Sequence, residues 1–232
     1  MIKIQNITKK YGDKSVLRGV TCDFEEGKVT SIVAPNGSGK TTLMSIVSGL
    51  LIPDGGTIDF PEKWGPADVS IVFAGEKNLY MKNTVLENLL YFGIIQGMKK
   101  CEIVQEIERY RPYLPFLWEV RNQLAESLSY GQKRLVAIFS AIVTNAKCIM
   151  IDEASEGLDM EYAALLTGML RKSAENRVIL LASHDYSFVS KISDRILFLK
   201  DGLIFEEQGQ MSQDGLQKRY REIFDLNLED EA

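Results

Sequence analysis

The amino-acid sequence predicts an α/β protein in which a mostly parallel sheet is covered by helices on both faces. Three apolar runs are typical of strands buried on both sides, at residues 29–34, 148–151 and 177–183. The segment after the first run has apolar residues at helical spacing on one face: Leu43, Ile46, Val47 and Leu50. Apolar strands that alternate with helices favour a parallel sheet, because each crossover helix packs on the sheet.

Two further parts are predicted beside this core, within a single domain that spans the whole chain. Residues 1–30 and 55–75 alternate β-like runs with turn signals, which predicts a small antiparallel sheet. Residues 77–130 are rich in helix-favouring residues, which predicts an inserted α-helical subdomain. Two apolar runs around Asp201-Gly202 predict a hairpin. Residues 210–232 are expected to form a C-terminal tail that ends in the frayed acidic stretch LNLEDEA.

Composition excludes several classes of protein. With 45% hydrophobic and 25% charged residues, the chain is expected to be globular. Three cysteines without metal-like spacing and one histidine are too few soft ligands for a zinc site, and they indicate a reducing cytoplasm. No apolar run approaches the roughly 18 residues that span a bilayer. The net charge of −5 argues against a nucleic-acid partner, and basic clusters such as Lys133-Arg134 are expected on solvated helix faces.

The loop after the first buried strand carries the strongest site signal. It comprises Ala34, Pro35, Asn36, Gly37, Ser38, Gly39, Lys40, Thr41 and Thr42. Its glycines allow backbone N–H groups to turn toward an anion, and the following helix adds its positive dipole end. Lys40 is expected to reach the β and γ phosphates of a nucleotide, and the Thr41 hydroxyl to bind Mg²⁺. The pattern GxxxxGK[ST] begins with Gly where this chain has Ala34, so either Ala34 keeps a negative φ or the loop is altered.

A second signal is the acidic pair Asp152-Glu153 at the end of an apolar strand. The carboxyl ends of parallel strands gather at one edge of a sheet, so this pair is expected beside the phosphate-binding loop. Asp152 is predicted to hold Mg²⁺, and Glu153 to polarise an attacking water. His184 follows the next buried strand and is expected at the same edge, as a donor to the γ phosphate.

The segment LSYGQKR, at residues 128–134, precedes an amphipathic helix and resembles the signature motif of ATP-binding cassette (ABC) ATPases, usually LSGGQ. On its own, Ser129 would be only a helix N-cap. The resemblance extends along the chain. Tyr11 matches the aromatic residue that stacks on adenine in that family, SEGLD at residues 155–159 matches the loop after the catalytic carboxylate, and His184 matches the switch histidine.

The resemblance implies a P-loop NTPase-type fold, ATP and Mg²⁺ as cofactors, and ATP hydrolysis as the reaction. It also implies a head-to-tail dimer with a second copy or a related ABC ATPase. In that dimer each ATP lies between one subunit's phosphate-binding loop and the other subunit's signature helix. Ser129, Gly131 and Gln132 would face the partner's ATP, and Asp159 would lie in a loop at the dimer contact.

Three positions depart from the family pattern. Gly75 stands where the family usually has a Gln that contacts Mg²⁺ and the attacking water. Tyr130 replaces the second Gly of the signature, and Ala154 replaces the Pro after the catalytic Glu. Two explanations are open: a subfamily variant with ordinary turnover, or slow turnover in an asymmetric pair whose other subunit supplies the better site. Retention of Lys40 and of the other catalytic residues favours the first.

The leading function hypothesis is the ATP-hydrolysing subunit of a transporter. It would lie in the cytoplasm, peripheral on the inner face of the cell membrane, and act on a separate integral membrane subunit. The stretch GEKNLY at residues 75–80 resembles some exporter ATPases, so export is expected. Apolar residues of the insertion are expected to form its core or a docking groove, among them Tyr80, Leu86, Leu89, Leu90, Tyr91 and Phe92. Two alternatives remain: a soluble ABC-type assembly or remodelling factor, and a weakly hydrolysing immunity or regulatory subunit.

Overall fold

The computed structural model describes residues 1–76 and 78–225, which form nine strands and eight α-helices. The strands are β1 (Ile2–Tyr11), β2 (Lys14–Phe24), β3 (Val29–Val33), β4 (Gly55–Asp59), β5 (Val69–Val72), β6 (Cys148–Ile151), β7 (Val178–Ala182), β8 (Arg195–Lys200) and β9 (Leu203–Gln208). The helices are α1 (Lys40–Val47), α2 (Val85–Ile95), α3 (Lys100–Arg109), α4 (Leu117–Val120), α5 (Tyr130–Ile142), α6 (Met160–Ala174), α7 (Tyr186–Ile192) and α8 (Gln213–Phe224). Of the helices in this part of the chain, none combines the length and the apolar character that a membrane crossing requires.

The main sheet has the strand order β5-β6-β7-β3-β8-β9, and all of its pairings are parallel except the β8-β9 hairpin. Its central strands are buried on both faces. Ile149 and Ile151 pack with the helices α2, α3, α5 and α6, while Cys148 and Met150 pack with α1 and the antiparallel sheet. The predicted α/β class is confirmed. Both faces of the sheet are covered because a strand with two apolar faces needs a cover on each side.

A smaller antiparallel sheet has the order β2-β1-β4 and packs against α1. The expectation that residues 55–75 belong to it holds for β4 but is wrong for β5. Val69 pairs in parallel with Cys148, and Val72 pairs with Ile151. Both valines are buried, so this strand joins the edge of the main sheet, where apolar neighbours cover it.

The inserted helices form a layer over the main sheet, continuous with α5. Thr84 caps α2 through a reciprocal capping box with Glu87. Ile103 of α3 is fully buried, and its side chain fills the space beside Gly93 of α2. The rings of Tyr110 and Phe139 meet at 5.6 Å between centroids, which joins the insertion to α5.

The C-terminal part differs from the expected tail. The β8-β9 hairpin turns at Asp201-Gly202 as predicted, with φ of 52° and 77°. Residues 213–224, however, form α8, which begins at the N-cap Ser212 and buries Leu216 fully. Apolar residues at helical spacing, Leu216 and Tyr220 among them, account for this helix. The acidic stretch LNLEDEA, residues 226–232, lies outside the described residues.

Candidate nucleotide-binding site

The phosphate-binding loop connects β3 to α1 at the carboxyl edge of the main sheet. Gly37 and Gly39 have φ of 77° and 106°, a region that favours glycine. A Cβ at Gly39 would lie 2.8 Å from Cγ1 of Val16, so the available space requires glycine as well. Ala34 is not among the described non-glycine residues with a positive φ, and alanine is therefore compatible with the first position of the loop.

The outer residues of this loop are accessible to a ligand. Pro35, Asn36 and Gly37 are exposed, while the Ser38 hydroxyl donates to the Pro35 carbonyl and holds the turn. Thr42, in the first turn of α1, is half-buried. The exposed turn leads into the N-terminus of α1, and a glycine-rich turn before a helix N-terminus is a common binding site for phosphates.

Lys40 lies under the loop and is 5% exposed. Its Nζ donates to the carbonyl oxygens of Ala34 at 2.8 Å and Pro35 at 3.2 Å. The same nitrogen lies 3.7 Å from Oε1 of Glu153. The lysine therefore connects the two ends of the loop to the acidic pair after β6.

Thr41 and Asp152 bring two oxygen atoms together beneath the loop. The Thr41 hydroxyl donates to Oδ2 of Asp152 at 2.5 Å. Asp152 is 4% exposed, and its backbone N–H donates to the carbonyl of Val72 on the neighbouring strand. Mg²⁺ prefers oxygen ligands and is usually held by one or two protein oxygens together with substrate phosphates. The chemistry of this pair fits the Mg²⁺ site that the sequence predicts.

Glu153 lies between Lys40 and His184. Its Oε2 is 2.7 Å from Nδ1 of His184, and since an ionised carboxylate only accepts, the histidine carries its hydrogen on that nitrogen. Glu153 has a φ of 49°, an unusual conformation for a non-glycine residue that is often found at functional sites. The Glu153 side chain is 17% exposed and that of His184 is 68% exposed, so both are accessible from the loop side.

Arg134 is a residue of this region that sequence reasoning missed. It is 2% exposed, so the expectation of a solvated helix face is wrong for this residue. Its Nη1 donates to the carbonyl of Phe73 at 2.7 Å, and its Nη2 donates to the carbonyls of Asp152 and Glu153. Burial lowers the pKa of Arg134. The sequence signal that could have revealed the burial of Arg134 is its position one turn after Gly131, on the face of α5 that packs on the sheet.

Replacement of Arg134 by Leu is expected to destabilise the protein, because three carbonyls, one buried and two partly buried, lose their donor. We expect a loss of about 3 kcal/mol in the free energy of unfolding, which lowers the melting temperature by about 6–12 °C. Thermal unfolding followed by circular dichroism measures this. The control is Arg109→Leu, which removes a 45% exposed arginine and should cost under about 1 kcal/mol. A melting temperature for Arg134→Leu equal to that of Arg109→Leu would contradict the role of Arg134.

The signature segment forms the N-terminus of α5. The Ser129 hydroxyl accepts from the Gln132 backbone N–H at 3.2 Å, and the Gln132 side chain accepts from the Ser129 N–H at 3.1 Å. Gly131 is required by close packing, because a Cβ there would lie 2.7 Å from the ring of Tyr162. Within residues 1–76 and 78–225, no hydrogen bond links this segment to the phosphate-binding loop.

Two other predicted residues lie apart from the cluster around Lys40. Tyr11 ends β1 and is 52% exposed, beside the turn into β2. Asp159 is exposed and caps α6 by accepting from the Tyr162 N–H at 2.9 Å. The structure thus assembles the phosphate-binding loop, the acidic pair and His184 at one edge, while Ser129 of the signature segment, Tyr11 and Asp159 are exposed elsewhere.

Comparison with known proteins agrees with this geometry. The ABC transporter family matches residues 17–156, and the chain belongs to this family. It is 30% identical over 213 residues to the tungstate uptake system ATP-binding protein TupC of Peptoclostridium acidaminophilum, covering 90% of this chain and 98% of that one. It is 29% identical over 218 residues to the arginine transport ATP-binding protein ArtM of Bacillus subtilis, with 89% and 90% covered.

Solved structures show the same architecture. A nucleotide-free ATP-binding cassette from an ABC transporter superposes with a TM-score of 0.79 at 28% identity, over 94% of both chains. A dimeric cassette in a post-hydrolysis state bound to ADP and Pi gives 0.78 at 26% identity, over 91% of this chain and all of that one. The predictions of the family and of ATPase activity are confirmed, and this chain is an ATP-binding subunit of the kind that forms dimers.

Proposed function

We propose that this chain binds ATP between two head-to-tail subunits and that its hydrolysis powers export through a separate integral membrane subunit. The observation that supports the proposal is a set of three contacts. Thr41 contacts Asp152 at 2.5 Å, and Glu153 contacts Lys40 at 3.7 Å and His184 at 2.7 Å. These groups supply a cation, a base and a hydrogen-bond donor at the opening of one phosphate-binding loop.

The proposed roles follow from the chemistry of each group. The loop N–H groups and Lys40 bind the phosphates, and Glu153 takes a proton from the attacking water at its carboxylate. His184 orients Glu153 through Nδ1, and as an imidazolium it carries a second hydrogen on Nε2 for a γ-phosphate oxygen. Thr41 and Asp152 would hold Mg²⁺, which when bound neutralises phosphate charge.

The dimer is proposed because, within residues 1–76 and 78–225, no hydrogen bond joins the N-terminus of α5 to the phosphate-binding loop of its own subunit. A 13-residue helix presents a positive dipole end, and anions bind at such ends. Ser129, Gly131 and Gln132 would therefore complete the site of a second copy or a related ATPase. Tyr11 would stack on the adenine, and Asp159 would lie at the contact between subunits.

The membrane subunit is proposed to dock on a groove of about 360 Å³ between α2 and α5. Leu89 is buried in the core, whereas Tyr80 and Tyr91 are exposed and join through their hydroxyls at 3.0 Å. Ile95, which lines the groove, is 58% exposed. Exposed apolar side chains of this kind mark contact surfaces. A chain that docks there would work in the cytoplasm, at the inner face of the cell membrane.

Export rests on the stretch at residues 75–80, of which Lys77 lies outside the described residues. The relative TupC, by contrast, is named as part of an uptake system. Reconstitution of this chain with its membrane subunit therefore has to decide the direction of transport. ATP-driven loading of inside-out vesicles with the cargo supports export. Loading of right-side-out vesicles that contain ATP would overturn it.

Loss of His184 tests the proposed site. We expect His184→Ala to lower kcat for ATP hydrolysis about 100-fold, because Glu153 loses its partner, while the affinity for ATP stays within about threefold. Phosphate release and calorimetric titration measure the two quantities. Asn122→Ala, an exposed polar change, serves as the control. Unchanged kcat in His184→Ala, or a Glu153→Gln chain that binds ATP but stays monomeric in light scattering, would overturn the proposal.

A further inference from the structure

The helix α8 packs on α7, the helix that follows His184. Leu216 of α8 is fully buried in an apolar cluster with residues of α7 and of the main sheet: Val33, Val189, Ile196 and Phe198. A helix that buries apolar side chains among close-packed neighbours is held at a fixed position on them. The C-terminal helix is therefore part of the packing that places α7.

Two tyrosines join α7 and α8 directly. Tyr186 is the first residue of α7, and its ring centroid lies 5.3 Å from that of Tyr220 on α8. The Tyr220 ring in turn lies 4.4 Å from the ring of Phe224, one turn further along α8. Tyr186 and Tyr220 are both half-buried, and aromatic pairs at such distances stabilise a contact beyond the area that they bury. The first turn of α7 is thus held against α8.

The backbone on either side of His184 is anchored by hydrogen bonds. Before it, the Ser183 N–H donates to the Ile32 carbonyl of β3 at 3.4 Å. After it, Asp185 caps α7 by accepting from the Phe188 N–H at 3.1 Å, and the Asp185 N–H donates to the Ser183 hydroxyl at 3.1 Å. The backbone position of His184 is therefore set by the sheet on one side and by the start of α7 on the other.

The His184 side chain depends on this anchoring, because its ring is 68% exposed and is little constrained by packing. Its Nδ1 lies 2.7 Å from Oε2 of Glu153. Hydrogen bonds weaken steeply when the distance or the angle departs from the optimum. A shift in the first turn of α7 would move the His184 backbone and weaken this contact.

We propose that Tyr220 is a positioning residue for ATP hydrolysis, because through Tyr186 it holds the start of α7 where His184 reaches Glu153. The inference rests on the proposed function, in which His184 orients Glu153 and donates to the γ phosphate. It gives the C-terminal helix a part in catalysis through α7. The contact is made by the aromatic rings, so the Tyr220 ring is required and its hydroxyl is not.

The position of His184 can be measured without nucleotide. His184 is the only histidine in the chain, so its imidazole gives one set of NMR signals in the purified full-length protein without a histidine tag. We expect Tyr220→Ala to move these signals toward those of Glu153→Ala, in which the contact with Nδ1 is absent. Tyr220→Phe keeps the ring and should leave the signals in place. Tyr113→Ala is the matched control, because it removes a half-buried tyrosine that packs on Tyr110 instead.

Kinetics test the consequence for catalysis. We expect Tyr220→Ala to lower kcat for ATP hydrolysis about 10-fold and to leave KM within about threefold, because the phosphate-binding loop is unchanged. In a His184→Ala background the same change should not lower kcat further, since Tyr220 acts through His184. Tyr186→Ala breaks the ring contact from the other helix, so it repeats both measurements if Tyr220→Ala does not fold.

Three results would contradict the positioning role. They are a folded Tyr220→Ala with wild-type imidazole signals, wild-type kcat in that variant, and a loss of kcat that adds to the loss in His184→Ala. Failure of the proposed function looks different, because the wild-type chain would then not hydrolyse ATP, or His184→Ala would hydrolyse it at the wild-type rate. The imidazole signals need no ATP, so they report the position of His184 in either case.

Discussion

Replacement of Lys40 by Ala is expected to lower the affinity for ATP at least about 100-fold. The Lys40 side chain is a cation at the phosphate-binding loop, and its Nζ already bonds to two loop carbonyls. When ATP binds, the oxygens of its phosphates would accept hydrogen bonds from the positively charged Nζ of Lys40. Charge-assisted hydrogen bonds are about twice as strong as neutral ones, so their loss outweighs any other single change in the loop.

A second effect adds to the first. Lys40 also bonds to the carbonyls of Ala34 and Pro35, and so holds the conformation of the loop. Removal of Lys40 leaves these carbonyls without their donor and loosens the loop. Lys40→Arg keeps the charge but not the compact shape, and we expect it to bind ATP with intermediate affinity.

Calorimetric titration with ATP measures the loss, and circular dichroism shows that each variant is folded. Lys3→Ala, an exposed change on β1, is the control and should bind as the wild type does. A folded Lys40→Ala that binds ATP with wild-type affinity would contradict the assignment of residues 34–42 as the phosphate-binding loop.

Local sequence patterns were sufficient where a feature depends on neighbouring residues. The loop at residues 34–42, the capping segment at Ser129 and the turn at Asp201-Gly202 each follow from residue types within a few positions. The order of strand, loop and helix also predicts that Asp152 and His184 share an edge with Lys40, because parallel strands align their carboxyl ends.

Features that depend on distant segments could not be predicted in this way. The parallel pairing of β5 needs a partner strand that begins at Cys148, after the whole helical insertion. Arg134 holds a carbonyl at Phe73, 61 positions away, so its neighbours along the chain do not reveal its burial. The contact between Tyr130 and Gly157 likewise joins segments that only the packing of α5 brings together.

Glu153→Gln is expected to lower kcat for ATP hydrolysis about 1,000-fold and to leave ATP binding within about threefold. The amide has the shape of the carboxylate but cannot take a proton from water. Because the ATP-bound dimer then persists, it should accumulate and be visible by light scattering. Glu26→Gln, an exposed change of the same kind, is the control.

The size of this effect follows from how tightly Glu153 is held. Its carboxylate contacts Nδ1 of His184 at 2.7 Å and Nζ of Lys40 at 3.7 Å, while its carbonyl is fixed by Arg134 at 2.9 Å. A positive φ of 49° at a non-glycine residue costs about 1–3 kcal/mol, which the surrounding bonds offset. These bonds therefore hold the strained backbone of Glu153, and with it the carboxylate that is proposed to activate the water.

The departures at Gly75 and Ala154 leave two possibilities for the wild-type turnover, ordinary or very low. Comparison of the wild-type rate with that of Glu153→Gln distinguishes them. If turnover is ordinary, wild-type and Glu153→Gln rates differ about 1,000-fold, and the family glutamine is dispensable in this chain. If the chain is a weakly hydrolysing regulatory subunit, both rates are equally low while ATP still binds. Equal rates at ordinary wild-type turnover would place the base elsewhere and contradict the role of Glu153.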